Sequence, residues 1–116
     1  MKGLRAFAQN VLMKKGVFRS VKELLAEHTR RDRFHLPKTK FELPLDDGRA
    51  VMIREIRATG IHRDILRVWF IGKDHLGDHY TILFMDGRQT SVVLERGQDL
   101  RAKLRDAAHK FGYVNR

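Results

Sequence analysis

The chain contains no cysteine among its 116 residues, and this absence excludes several kinds of site. Without a thiol the protein can form no disulfide framework, no thiolate zinc site and no cysteine nucleophile. Proline is also scarce, with two residues, and no apolar run reaches the length of a signal peptide or a membrane span. We therefore expect a soluble, cytoplasmic protein with no membrane contact.

Acidic residues are scarce at both ends of the chain, and the net charge is +10 overall. Residues 1–40 carry 11 Lys or Arg and 3 acids, residues 41–95 carry 7 and 9, and residues 96–116 carry 6 and 2. A balanced middle with cationic ends is typical of a surface that faces a polyanion, and nucleic acid is the commonest one. The length and a hydrophobic content of 42% fit a single domain over residues 1–116.

Apolar residues recur at helical spacing in two N-terminal segments. The first stripe predicts a helix over residues 4–16 that ends at Gly16. The second predicts a helix from about Val21 to Arg30, with Ser20 and Glu23 forming a capping box at its start. A third stripe near the carboxyl terminus predicts a helix from Leu100 to Phe111, capped by Asp99.

The middle of the chain has the two-residue period of β-strands. Pro44 cannot donate to a ladder, so the strand from Thr39 to Leu45 is predicted at a sheet edge. The run from Ile65 to Ile71 is dense in branched and aromatic residues, which predicts a central strand with both faces covered and Trp69 buried. Strands are also expected over residues 50–57, 79–84 and 90–95.

A turn containing Asp86 and Gly87 joins the last two of these strands. An Asp-Gly pair favours a two-residue type I′ hairpin turn, in which Gly87 has a positive φ. The sequence thus predicts an α+β fold: two N-terminal helices, an antiparallel meander of four to five strands, and a C-terminal helix packed on the sheet. We expect the helices to cover one face of that sheet.

The segment "HTRRDRFHLPKTK", residues 28–40, holds five Lys or Arg against one acid. Such cations suit phosphate contacts that depend little on base sequence, and Phe34 suits stacking on an unpaired base. The predicted function is therefore a small nucleic-acid-binding domain, with DNA or RNA as partner and no cofactor or metal. The predicted contact residues are Lys14, Lys15, Arg19, Arg30, Arg31, Arg33, Phe34, Lys38, Lys40, Arg101 and Arg105.

Two other functions remain open at this point. The same cations suit a non-enzymatic interaction module, an adaptor or inhibitor that docks on an acidic protein. A small metal-independent ribonuclease is the second alternative, because its acids, bases and phosphate ligands are available; they are His62, Arg63, His75, His79, Tyr80 and Arg88. Residues 73–80 also place two His four residues apart beside two Asp, but as a hairpin loop they predict no metal site. We expect no catalytic residues.

Overall fold

The structure, a computed structural model, describes residues 17–32, 37, 39–57 and 60–113, and it is built on one antiparallel sheet. The strands are paired in chain order, β1-β2-β3-β4-β5, as an uninterrupted meander. The sheet is flanked by an N-terminal and a C-terminal helix, so the fold is α+β. The elements are α1 (Val17–Asp32), β1 (Lys40–Pro44), β2 (Ala50–Ile56), β3 (Ile65–Asp74), β4 (Gly77–Phe84), β5 (Gln89–Leu94) and α2 (Leu100–Lys110).

Helix α1 begins earlier than the sequence predicts. The expected capping residue, Ser20, lies inside the helix and is exposed. The helix starts before it because Phe18, Val21 and Leu25 form one buried stripe at helical spacing, and burying Phe18 requires helical backbone ahead of Ser20. The helix predicted for residues 4–16 lies outside the described residues.

Strand β3 is the central strand, as predicted, and Trp69 is fully buried. Successive side chains of β3 point to opposite faces of the sheet. Trp69 belongs to a core cluster that contains Phe18, Val21 and Leu25 of α1, whereas Phe70 belongs to a second cluster with Leu104 and Ala108 of α2. The two helices therefore cover opposite faces, and the prediction that they share one face was wrong.

The cause of that error is visible in β3 itself. A strand with one covered face alternates apolar and polar residues, but β3 is buried along both faces from Val68 to Gly72. Such a strand needs material on each side. The protein supplies it with one helix per face, and the short loop after β5 brings α2 back across the face opposite α1.

The turn between β4 and β5 also differs in detail from the prediction. Gly87 has the predicted positive φ, at 95°. However, Gly87 N–H donates to Phe84 O, and Phe84 N–H donates to Arg88 O, so the loop has three residues, not two. The Asp86 carboxylate accepts from the backbone N–H of Arg88, which holds this wider turn.

Helix α2 matches its prediction. Asp99 is the N-cap, and its carboxylate accepts from Ala102 N–H at 2.9 Å, which satisfies one of the free donors of the first turn. The C-terminal end is fixed by stacking of Phe111 and Tyr113 on Phe84. Within the described ranges, no helix is long and apolar enough to cross a membrane.

Candidate functional site

A groove of about 470 Å³ runs between α1 and the last two strands of the sheet. Its helical wall consists of Lys22, Glu23 and Ala26. Its floor is formed by residues of β4 and β5, namely Thr81, Gln89, Thr90 and Ser91; the side chains of Thr81, Gln89 and Ser91 point to the α1 face, whereas that of Thr90 points to the opposite face. The lining is therefore polar and offers hydrogen-bond donors and acceptors, with an ammonium group on the wall.

Thr81 is the most unusual residue of the floor. It is 1% exposed, and its hydroxyl has no hydrogen-bond partner among the described residues. Its neighbours in register are Trp69 on β3 and Ser91 on β5, and the Trp69 indole N–H is likewise buried without a partner there. A buried polar group normally finds a partner, because an unmade hydrogen bond costs about 1–3 kcal/mol. Of these two residues Thr81 lines the groove, whereas Trp69 belongs to the core cluster on the same face of the sheet.

The position of α1 over the groove is fixed near both of its ends. At the carboxyl end, Thr29 is 2% exposed, its hydroxyl donates to Ala26 O, and it accepts from the amide of Gln89 on β5. At the amino end, Phe18 stacks on His79 with ring centroids 3.7 Å apart. These contacts set the width of the groove, since its helical wall lies between them.

His79 is itself held by a carboxylate. Its Nε2 lies 2.9 Å from Asp74 Oδ1, and Leu76 N–H donates to the same oxygen. Burial acts to raise the pKa of Asp74, but the hydrogen bonds from His79 and Leu76 outweigh it and the pKa is lowered. Asp74 therefore stays ionised at neutral pH and orients the imidazole that supports Phe18.

An ion pair lies on the same face of the sheet. Arg67 is 4% exposed, its Nε lies 3.6 Å from Glu55 Oε2, and its guanidinium lies 5.8 Å from the Trp69 ring centre. A guanidinium and a carboxylate buried in this way must be paired, because moving each charge out of water costs more free energy than most single contacts recover. The pair packs against Trp69, which is the neighbour of Thr81 in the sheet.

Two cations share the flank of α1 that borders the groove. Arg19, Glu23, Ala26 and Arg30 follow one another at spacings of three and four residues, so they lie on one side of the helix. Since Glu23 and Ala26 line the groove, that side is the one beside it. Arg19 contacts Glu23 at 3.8 Å with both side chains largely exposed, which is a weak, solvent-screened pair. Within the described part of the chain, Arg30 has no ion pair.

The structure separates the predicted contact residues. Arg19 and Arg30 lie on α1, Lys40 on β1, and Arg101 and Arg105 on α2. Because α1 and α2 cover opposite faces, these side chains do not form one surface. Arg31 also lies in α1, and the remaining predicted residues lie outside the described ranges: Lys14, Lys15, Arg33, Phe34 and Lys38.

Cations without acids are concentrated in the sequence on either side of α1. All 14 Asp and Glu residues are in the described ranges, together with 17 of the 24 Lys and Arg. The remaining 26 residues hold seven cations and no acid. Six of those seven cations are in residues 1–16 and 33–38, the segments that directly precede and follow α1 in the sequence.

The residues considered for a ribonuclease site are also dispersed. His79 lies on the α1 face, whereas His62 lies against His109 of α2, with ring centroids 5.6 Å apart. Arg88 is engaged with Asp86 and Tyr113. The described residues contain no group of three or more His, Asp or Glu side chains that could hold a metal ion.

Sequence reasoning did not identify the groove floor. The signal was present, because Thr81 interrupts an otherwise apolar stretch of β4 and Ser91 occupies the same face of β5 in register with it. That pairing becomes apparent only when the register of the hairpin is known, and the three-residue loop shifts it from the predicted one. No protein-family model, no curated protein and no solved structure matches this chain.

Proposed function

We propose that this protein binds nucleic acid through phosphate contacts, largely without base specificity, in the groove between α1 and β5. The observation that carries the proposal is the combination in this groove of a polar floor with an unsatisfied buried hydroxyl, Thr81, and a helical wall that carries Lys22, with Arg19 and Arg30 on the adjoining flank of α1. Hydroxyl and amide donors beside Lys and Arg are the usual ligands of a nucleic-acid backbone.

The charge distribution supports the same location. Helix α1 connects directly to both cation-rich segments, residues 1–16 and 33–38, which contain no acid. Counterion release makes each added phosphate contact favourable at low salt, whatever the base sequence. The largest cationic excess of the sequence therefore adjoins, along the chain, the helix that forms the wall of the groove.

The face covered by α2 supports the proposal less well. Arg101 and Arg105 are exposed there, but Arg101 donates to Gly60 O at 3.4 Å, and Asp106 pairs with Lys110 on the same helix. Within the described residues, that face has no unsatisfied hydroxyl comparable to Thr81. This contrast provides a matched control, because each helix offers two exposed cations whose removal does not disturb a core.

The test is binding of a fluorescent single-stranded oligonucleotide and a duplex over a series of salt concentrations. The double variant Lys22→Ala, Arg30→Ala should flatten the salt slope for single strands by about 1.4 units, at about 0.7 per lost contact. The control double variant Arg101→Ala, Arg105→Ala should leave the slope nearly unchanged. Thr81→Val should weaken binding with an unaltered slope, since it removes a hydroxyl and no charge.

Three outcomes would contradict the proposal. The first is no binding of either nucleic acid at low salt. The second is an unchanged slope for the α1 double variant. The third is a slope lost in the α2 double variant instead, which would move the interface to the opposite face of the sheet.

A further inference from the structure

Strand β5 is the last strand of the sheet, and no described strand lies beyond it. Phe84 N–H donates to Arg88 O, so these two residues form a hydrogen-bonded pair. This pair determines which residues of β5 direct their backbone groups to β4 and which direct them outward. In an antiparallel ladder every second residue directs its backbone groups to the neighbouring strand. Thr90, Val92 and Leu94 therefore face β4, whereas the N–H and C=O groups of Gln89, Ser91 and Val93 point outward from the sheet.

Among the residues that the structure describes, this outer edge has no feature that prevents pairing. The strand reads QTSVVL and contains no charge and no proline, and its register with β4 has no bulge. Natural edge strands normally carry Lys, Pro or a bulge that blocks edge-to-edge association. An uncharged, regular six-residue edge is therefore suited to accept another strand.

The edge is also flanked by a groove on each face of the sheet. One is the groove of about 470 Å³ beside α1, and the other, of about 440 Å³, lies between β5 and α2. Each wall carries both signs of charge, with Lys22 and Glu23 on the α1 side. On the α2 side the charged lining residues are two cations and two acids: Lys103, Lys110, Glu95 and Asp106.

We propose that two copies of this chain associate through β5, antiparallel, around a two-fold axis at Ser91. Two conditions limit the register of this pairing. Residues opposite each other must direct their side chains to the same face of the sheet, and the residues that form hydrogen bonds must be the outward positions, Gln89, Ser91 and Val93. The only centred register that meets both conditions sets Ser91 opposite Ser91 and Gln89 opposite Val93 of the second copy. The product is one continuous ten-stranded sheet.

A second copy fits the edge better than an acidic or a basic partner does. A two-fold axis normal to the sheet sets the α1-side groove of one copy beside the same groove of the other, so that the mixed lining with Lys22 and Glu23 faces an identical mixed lining. On the α2 side, the two cations and two acids that line the groove likewise face the same four residues of the second copy. A strand of uniform charge would instead meet like charges on both walls.

The first test is sedimentation of nucleic-acid-free protein over a range of concentrations. The wild type should shift from the monomer mass of 13.6 kDa toward twice that value as its concentration rises. Ser91→Lys places two cations opposite each other on the axis and should abolish the dimer. The matched control is Pro44→Lys, which adds the same charge at an outward position of β1 and should leave the dimer intact.

The second test examines the register, and the absence of cysteine makes it clean. In a hydrogen-bonded pair the Cα atoms are about 5.5 Å apart, within disulfide range. Ser91→Cys should therefore form a cross-linked dimer under mild oxidation. Thr90→Cys should not, since position 90 faces position 92 of the second copy, and the two substituted positions lie more than about 7 Å apart.

Several results would overturn the proposal. A monomer at every concentration excludes it, and if the Ser91 N–H is then protected from exchange, the edge is covered by this chain itself. Equal cross-linking of the two cysteine variants excludes the proposed register. Both cysteine positions are on the strand surface, and circular dichroism of each variant establishes that its sheet is intact before the comparison is made.

Discussion

The two edges of the sheet differ in the residues that point outward. On β1, Leu45 N–H donates to Arg49 O and Glu55 N–H donates to Thr39 O, so the outward positions are Lys40, Glu42 and Pro44. Two of these are charged, and the third has no N–H. On β5 the outward positions are uncharged and all retain an N–H, and they are Gln89, Ser91 and Val93.

The difference lies in side chains and not in backbone geometry. Both edge strands belong to hairpins with the same loop, in which Gly48 and Gly87 have φ of 88° and 95°. In both loops an Asp carboxylate accepts from the backbone N–H of the Arg two residues later. The sequence therefore blocks pairing at one edge and places no such residue at the outward positions of the other, on otherwise equivalent hairpins; this difference is the basis of the proposed association through β5.

The largest effect is expected from proline substitutions that compare the two kinds of position along β5, those whose N–H faces β4 and those whose N–H points outward. Val92→Pro should lower the free energy of unfolding by about 3 kcal/mol, because it removes the N–H that faces the backbone carbonyl of Tyr80 and leaves this carbonyl buried without a donor. Ser91→Pro should cost less than about 1 kcal/mol, since its N–H points outward. Urea unfolding measures both; equal losses would show that the alternation along β5 is assigned incorrectly.

A smaller loss is expected where β5 ends. Gly77 has a φ of 141°, and a Cβ there would overlap the carbonyl oxygen of Leu94. Gly77→Ala must push the end of β5 from β4, and such overpacking costs about 1–3 kcal/mol. Gly97→Ala is the control, because Gly97 also has a positive φ, of 87°, but open space around it. The thermal midpoint should fall further for Gly77→Ala; the reverse order would contradict the close approach.

The smallest effect concerns the loop that precedes β5. The Tyr113 hydroxyl donates to Asp86 Oδ2 at 2.5 Å, and this bond, followed by those from Arg88, lowers the pKa of Asp86 to about 2. A depressed carboxyl pKa stabilises the fold above the unfolded value of about 4, and this contribution is lost as the pH falls toward 2. Tyr113→Phe should raise the pKa of Asp86 in an NMR titration and shift acid unfolding to higher pH.

Asp47 is the control for that titration. Its pKa is lowered chiefly by the side-chain hydrogen bond from Arg49, and its loop has no counterpart of Tyr113 among the described residues. The pKa of Asp47 should therefore not respond to Tyr113→Phe. A pKa of Asp86 that is equally unchanged would mean that Tyr113 does not hold the loop in solution.

Much of the fold follows from local sequence patterns. Pro44 marks an edge because its missing N–H is tolerated only there, and the density of apolar residues around Trp69 marks a centre. The Asp99 cap and the positive φ of Gly87 depend on chemistry within four residues. These features were predictable because each depends on a physical constraint that adjacent residues already contain.

The start of α1 and the groove were not predictable in this way. Helix α1 begins before the capping box because Phe18 stacks on His79, a residue that is distant in the chain. The floor is assembled only when Thr81 and Ser91 come into register. Such features depend on tertiary contacts, which override local propensity.

The contrast between the two edges can be tested most directly by amide hydrogen exchange, measured by NMR on one sample series of increasing concentration. The account predicts that the N–H groups of Gln89, Ser91 and Val93 gain protection as the dimer forms, whereas the N–H of Lys40 on β1 exchanges rapidly throughout. If the β5 amides exchange as fast as that of Lys40 at every concentration, β5 is not an association edge.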